Sequence, residues 1–145
     1  MVKFILLLFF ILVASCSGMN NIPKGFDFKT INIENNGSFS GYISSNETVK
    51  FCKSFVLTKT EIITFFKKSR IATYREYSHD LTASNCYTSG NFVTSKGIKG
   101  TWKIDRARRG FINLISSNKT QYYYCATCEN ALFYESCDIE CIHDQ

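Results

Sequence analysis

The chain has a single proline, Pro23, a single tryptophan, Trp102, and only two histidines, His79 and His143, in 145 residues. One proline excludes a proline-rich tail or linker. Two histidines leave little material for a histidine-built metal centre or proton relay. There is no Gly-x-Ser-x-Gly elbow, no His-Glu-x-x-His pair and no glycine-rich phosphate cradle. Nor is any apolar run near the roughly 20 residues that span a bilayer; the longest, Phe4–Val13, has ten. What the chain does have is aromatic and apolar mass: 13 Phe, 8 Tyr and 45% apolar residues overall. That composition suits a folded domain with a real core and argues against disorder.

The N-terminus reads as an export signal. Lys3 supplies the positive start, FILLLFFILV the apolar centre, and Ala14 and Ser15 the small residues before a cleavage point. The expected organisation is a signal peptide over 1–15, a lipid-attachment residue and tether over 16–25, and one α+β domain over 26–145. The run Leu12-Val13-Ala14-Ser15-Cys16 resembles the lipobox of bacterial lipoproteins. The resemblance implies that Cys16 becomes the first mature residue and carries the lipid, and that Ser17 favours an outer-membrane, periplasm-facing location. Each buried methylene of such an anchor is worth about 0.8 kcal/mol, so several chains hold firmly. Plain cleavage to a soluble secreted protein is the alternative. A eukaryotic secreted protein is another, since Asn36, Asn46 and Asn118 each open an N-glycosylation pattern.

Charge is unevenly spread. Lys50 to Arg109 holds thirteen basic and four acidic residues, a local +9 in a chain of net +5. Ala126 to Gln145 holds five acidic residues and no Lys or Arg. The tail could dock on the basic middle, or each could meet its own partner; a solvated face is the plainest account. An exported protein rarely meets nucleic acid, so none is expected as a partner.

Setting Cys16 aside leaves Cys52, Cys86, Cys125, Cys128, Cys137 and Cys141. An even number in an exported chain reads as disulfides. Cys52 and Cys86 are expected to pair. The Cys125-x2-Cys128 and Cys137-x3-Cys141 clusters are expected to pair with each other, because each short internal ring looks strained. Two sharper readings compete: a zinc site with His143 nearby, and a redox Cys125/Cys128 couple after a strand. No metal and no other cofactor is expected.

The periodicity predicts an antiparallel meander of four or more strands, one packed helix and a disulfide-stapled C-terminal segment. Thr58-Lys59-Thr60-Glu61 is a capping box, and Ile62, Ile63, Phe65 and Phe66 follow at helical spacing. Strands are expected over 86–94, 98–104, 111–115 and 120–125, with turns between. Upstream, strands over 26–33 and 38–44 would flank a hairpin turn at Asn35-Asn36-Gly37, and 51–57 would be a third short strand. Residues 71–82 fit neither period cleanly.

Candidate functional residues are few. His79 beside Asp80 has the makings of a base and its orienting carboxylate, but is more simply a surface histidine. Asp80 and Asp105 are the carboxylates flanked by aromatic or basic residues. Trp102 with Arg106, Arg108 and Arg109 forms a Trp- and Arg-rich hairpin, the residue types enriched at binding hot spots; a charged turn that protects a strand edge is the simpler account. Beyond the lipobox, the cysteine-rich body is generally similar to small lipoproteins of Gram-negative envelopes. One role in that group is immunity, the binding and neutralising of a periplasm-acting toxin. The expected function is therefore non-enzymatic protein binding, with membrane contact through the lipid anchor only. Structural or assembly work in an envelope complex is the alternative, and thiol–disulfide redox chemistry at Cys125/Cys128 a third.

Overall fold

The computed structural model describes residues 26–128 and Phe133. It is α+β, as expected: six antiparallel strands form one sheet, with short helical segments beside it. The strands are β1 (Phe28–Phe39), β2 (Arg70–Ala72), β3 (Cys86–Thr94), β4 (Lys99–Asp105), β5 (Arg109–Leu114) and β6 (Lys119–Tyr124). Their spatial order is β1-β3-β4-β5-β6-β2. The predicted meander is the run β3 to β6, and β1 and β2 close its two edges.

Alternation explains the meander. Along β3 buried and partly exposed residues alternate without a break, the period of a strand with one face in a core. Cross-strand pairing sets Gly90 opposite Trp102 and Trp102 opposite Ile112. Trp102, Ile104 and Ile112 thus share the core face with Phe92, all buried. Against that face lies α2 (Lys59–Lys68), opened by the Thr58–Glu61 capping box and closed by Lys67 and Lys68 at its C-terminus. Its Ile62, Phe65 and Phe66 are buried. Phe66 meets Tyr123 edge-on at 5.2 Å, and Phe65 lies so close to β5 that a Cβ on Gly110 would fall 2.8 Å from its ring. Among the described residues no helix is long and apolar enough to cross a membrane.

The upstream expectations need correction. Asn35-Asn36-Gly37 is no hairpin turn: β1 runs through it as one strand of twelve residues, paired with β3. The turn chemistry is absorbed as a bulge, with register shifts on both sides of Asn35 and Gly37 at φ 65°. The cause is a distant partner. The Asn36 side chain accepts from Leu57 N at 3.0 Å and donates to Leu57 O at 3.1 Å, holding Leu57 along the strand. Residues 51–57 are likewise not a strand. Thr48 caps a single helical turn, α1 (Val49–Cys52), which delivers Cys52 to Cys86.

The Cys52–Cys86 disulfide joins residues 34 apart, and a loop of that size is worth about 4 kcal/mol in the chain-entropy picture. Beside it, Glu47 accepts from Ser84 Oγ at 2.5 Å and from Asn85 N at 2.6 Å. The Asn85 amide in turn donates to Ile43 O and accepts from Ser40 Oγ. The long excursion from β1 to α1 is thereby pinned to the start of β3. The ambiguous segment 71–82 resolves into β2 and a helical turn ending in a π-type stretch, Glu76–Asp80. A second capping box starts that turn: Thr73 N donates to Glu76 and Glu76 N to Thr73 Oγ1.

One close approach is testable. A Cβ at Gly90 would sit 1.9 Å from Asn32 O, so β1 can lie on β3 only if residue 90 has no side chain. Gly90→Ala is expected to lower unfolding stability by roughly 2–3 kcal/mol, as overpacking does. At Gly97 the methyl would meet nothing within 4 Å and only the φ of 78° is strained, so Gly97→Ala should cost about 1 kcal/mol. Denaturant titration of both variants checks the order.

Candidate functional site

The β4–β5 turn, where the Arg-rich motif lies, is built around a buried carboxylate. Asp105 ends β4 and is 3% exposed. Arg109 Nη2 and Nε reach its Oδ2 at 2.8 and 2.9 Å, and Arg109 N donates to Oδ1 at 3.1 Å. The same guanidinium donates to Tyr77 O and lies 4.5 Å from the Tyr77 ring. Burial pushes the Asp105 carboxyl up to about 6, against the pull of Arg109, which favours the ionised form. Burial likewise raises the Tyr77 hydroxyl to about 12, with Asp105 adding to it.

The four residues of the Trp- and Arg-rich hairpin are thus placed in different environments. Trp102 lies in the core, its Nε1 donating to Asn91 O at 3.3 Å. Arg108 is buried, at φ 65°, with Nη1 on Ala126 O at 3.0 Å. Its backbone oxygen accepts from Cys125 N, so the β4–β5 turn and the turn after β6 are fastened together. Arg109 is held by Asp105 and Tyr77. Arg106 is partly exposed, its guanidinium 4.6 Å from the Phe51 ring, and borders a cleft of about 340 Å³ with Asn46, Glu47 and Phe51. His79 and Asp80 are exposed on the helical turn. Lys103, on β4, stands with Nζ 4.0 Å from the Tyr87 ring, and burial lowers the pKa of its ammonium.

The expected cross-pairing of the C-terminal cysteines is corrected at one end: Cys125 bonds to Cys128. Ala126 and Thr127 turn tightly enough to set the two Cα atoms 5.4 Å apart, an ordinary disulfide separation. Neither sulfur is then a free thiolate for zinc, and among the described residues no three His, Cys, Asp or Glu side chains could hold a metal. Cys137, Cys141 and His143, like Cys16, lie outside the described residues. Cys125 is fully buried, whereas Cys128 borders a cleft of about 370 Å³ with Glu61, Thr64, Phe65, Lys68, Thr127 and Phe133.

The feature that sequence reasoning missed is the sheet's second face. Asn32, Asn91, Thr101, Asn113 and Thr120 are successive cross-strand partners over five strands. Asn32 donates to Asn91 at 3.0 Å, and Asn91 to Glu34 at 2.6 Å. Parallel to this polar row runs another: Ser89, Lys103, Phe111, Tyr122 and Ala72. Tyr77 covers the β5–β6 part, 4.7 Å from Tyr122 and 6.4 Å from Phe111. On β6, Tyr124 carries the Arg70 guanidinium at 5.5 Å. Each position was visible as an alternate residue, but only the register shows that the rows line up.

Comparison with protein families, with curated proteins and with solved structures found no match.

The Asp105–Arg109 pair yields a pH-dependent prediction. Arg109→Ala leaves a buried carboxylate without its cation and is expected to cost about 3–5 kcal/mol near neutral pH. An acid whose native pKa is raised stabilises the fold fully below its unfolded pKa, and that contribution is lost as pH rises through the native value, here about 6. Without Arg109 that value rises further. The variant's deficit should therefore shrink as pH falls from about 7.5 to about 5, because Asp105 can take up a proton. Denaturant unfolding of both proteins at each pH measures it; a deficit independent of pH would mean that Asp105 keeps its charge.

Proposed function

We propose that this chain is a non-enzymatic envelope lipoprotein that binds another protein, most specifically an immunity protein that neutralises a toxin acting in the periplasm. The observation that carries the binding reading is the second sheet face. It is a platform of five hydrogen-bonded strands carrying aligned Asn and Thr side chains beside Tyr87, Lys103, Phe111 and Tyr122. Rigid strands lose little freedom when a partner docks, and half-buried aromatics beside cations are the residue types that dominate binding energy. The envelope and toxin parts of the reading rest on the lipobox and on the general similarity to small envelope lipoproteins. Residues 16–25 then act as the tether, and Cys16 as the lipid carrier.

A second reading has one observation in its favour, the placement of Cys128 beside a cleft while Cys125 is buried. A thiolate of a substrate dithiol would attack Cys128 Sγ and expel Cys125 as a thiolate. The second substrate thiolate would then close the substrate disulfide, leaving Cys128 reduced. The substrate is oxidised and the pair takes both electrons. Titrating the Cys125–Cys128 bond against a glutathione buffer tests this: resistance to all physiological poises sinks the redox reading.

For the binding reading, the chain from residue 16 with Cys16→Ser is immobilised and exposed to envelope and secreted fractions of the native cell. One stoichiometric partner whose lytic or hydrolytic activity is blocked by the complex is the expected result. Lys103→Gln with Tyr87→Ala should weaken that complex at least about tenfold, measured against the Lys67→Glu/Lys68→Glu chain as a control for surface change. Unchanged affinity would remove this face from the interface. Recovery of envelope-assembly components instead would replace immunity with the assembly role.

A further inference from the structure

The two ends of the sheet differ in character. The β4–β5 turn and both disulfides lie at one end. At the other lie the β3–β4 turn, the β5–β6 turn and the start of β1, since Phe28 pairs with Thr94 and Ser95 N donates to Asp27 O. This second end exposes two isoleucines, Ile98 at 38% and Ile115 at 66%. Ile115 N donates to Lys99 O, so the two turns are joined. Gly97, Ile98, Lys99, Ile115 and Ser116 border one open cleft of about 390 Å³. At this end Lys29, Lys96, Lys99 and Lys119 are exposed, and among the described residues Asp27 is the carboxylate beside them.

We infer that this end of the sheet rests on an anionic phospholipid surface, with Ile98 and Ile115 entering the headgroup layer and the lysines facing lipid phosphates. Single exposed apolar residues are ordinary; here two stand in neighbouring turns, joined through Ile115 N and Lys99 O, with exposed lysines in and beside the same turns. That is the amphipathic pattern of interfacial binding, with apolar groups in the boundary and cations at the phosphates. Chain connectivity points the same way. The described structure begins at Phe26, ten residues after Cys16, and ten residues extend to at most about 35 Å. The first described residues lie at this end, so a lipid on Cys16 would keep this end within that reach of the bilayer. The inference thus adds a second membrane contact to the single anchor expected from sequence, and rests on the lipoprotein reading only for that last argument.

The test uses the Cys16→Ser chain from residue 16, which has no lipid, in flotation with vesicles. Vesicles of phosphatidylcholine alone are compared with vesicles containing about one-third phosphatidylglycerol. Binding is expected only to the anionic vesicles, weakening roughly fivefold for each lysine reversed among Lys96→Glu, Lys99→Glu and Lys119→Glu. Ile98→Ser with Ile115→Ser should also weaken it, and Ile115→Trp should shift its emission to the blue on the same vesicles. The control Lys67→Glu with Lys68→Glu, at the C-terminus of α2, should leave binding intact. No binding to anionic vesicles, equal binding to neutral ones, or an equal loss in the control would overturn the inference. Palmitate labelling of the parent chain at Cys16 in cells reports separately on the lipoprotein reading, so the two can fail independently.

Discussion

The Asp105–Arg109 pair is the constraint on which the arrangement depends. Its carboxylate is buried at the end of β4, where an unpaired charge would not be tolerated. Arg109 answers it, and in doing so fixes three things. It closes the β4–β5 turn, it ties the helical turn after β2 to the sheet through Tyr77, and it leaves Arg108 at φ 65° facing Ala126. Tyr77 then shields part of the second sheet face, and Arg108 holds the turn that contains the Cys125–Cys128 bond. Arg108 and Arg109, which in sequence look like part of a binding cluster, are spent on internal order.

How much was legible depended on whether the deciding partner was local. The Thr58–Glu61 box and the alternation of β3 to β6 are local, and each appeared where the residues said. Asn35-Asn36-Gly37 is also a local signal, but Leu57, twenty-one residues on, satisfies Asn36 and turns a hairpin into a bulge. The capping box of Thr73 and Glu76 could have been read from the same pattern used at Thr58, and would have settled the segment after β2. Trp102 illustrates a different gap. Composition marks it as a hot-spot residue, but its period-two relation to Ile104 and Gly100 puts it inward. The polar row across five strands needed the register, which no single strand carries.

The two sheet faces divide the work. The core face spends its aromatic residues on α2 and on Phe26 and Phe28, which cluster about Phe92 at 5.3–5.5 Å. The second face keeps Asn, Thr, Lys and half-buried Tyr side chains on the same rigid strands. Core packing and the proposed binding surface therefore draw on alternate residues of one backbone, with the buried Asp105–Arg109 pair as the stabilising element on the second face.

β1 and β2 are close in sequence yet lie at opposite edges of the sheet. The chain between them must pass across the whole core face, and α2 is that passage. Order of synthesis follows from this. β1 has no neighbour until β3 exists, and β2 has none until β6, the last strand described, has been made. Cys52 likewise precedes its partner by 34 residues. The edge strands and the first cysteine of this half thus wait for a sheet, and they lock only when the second half is in place.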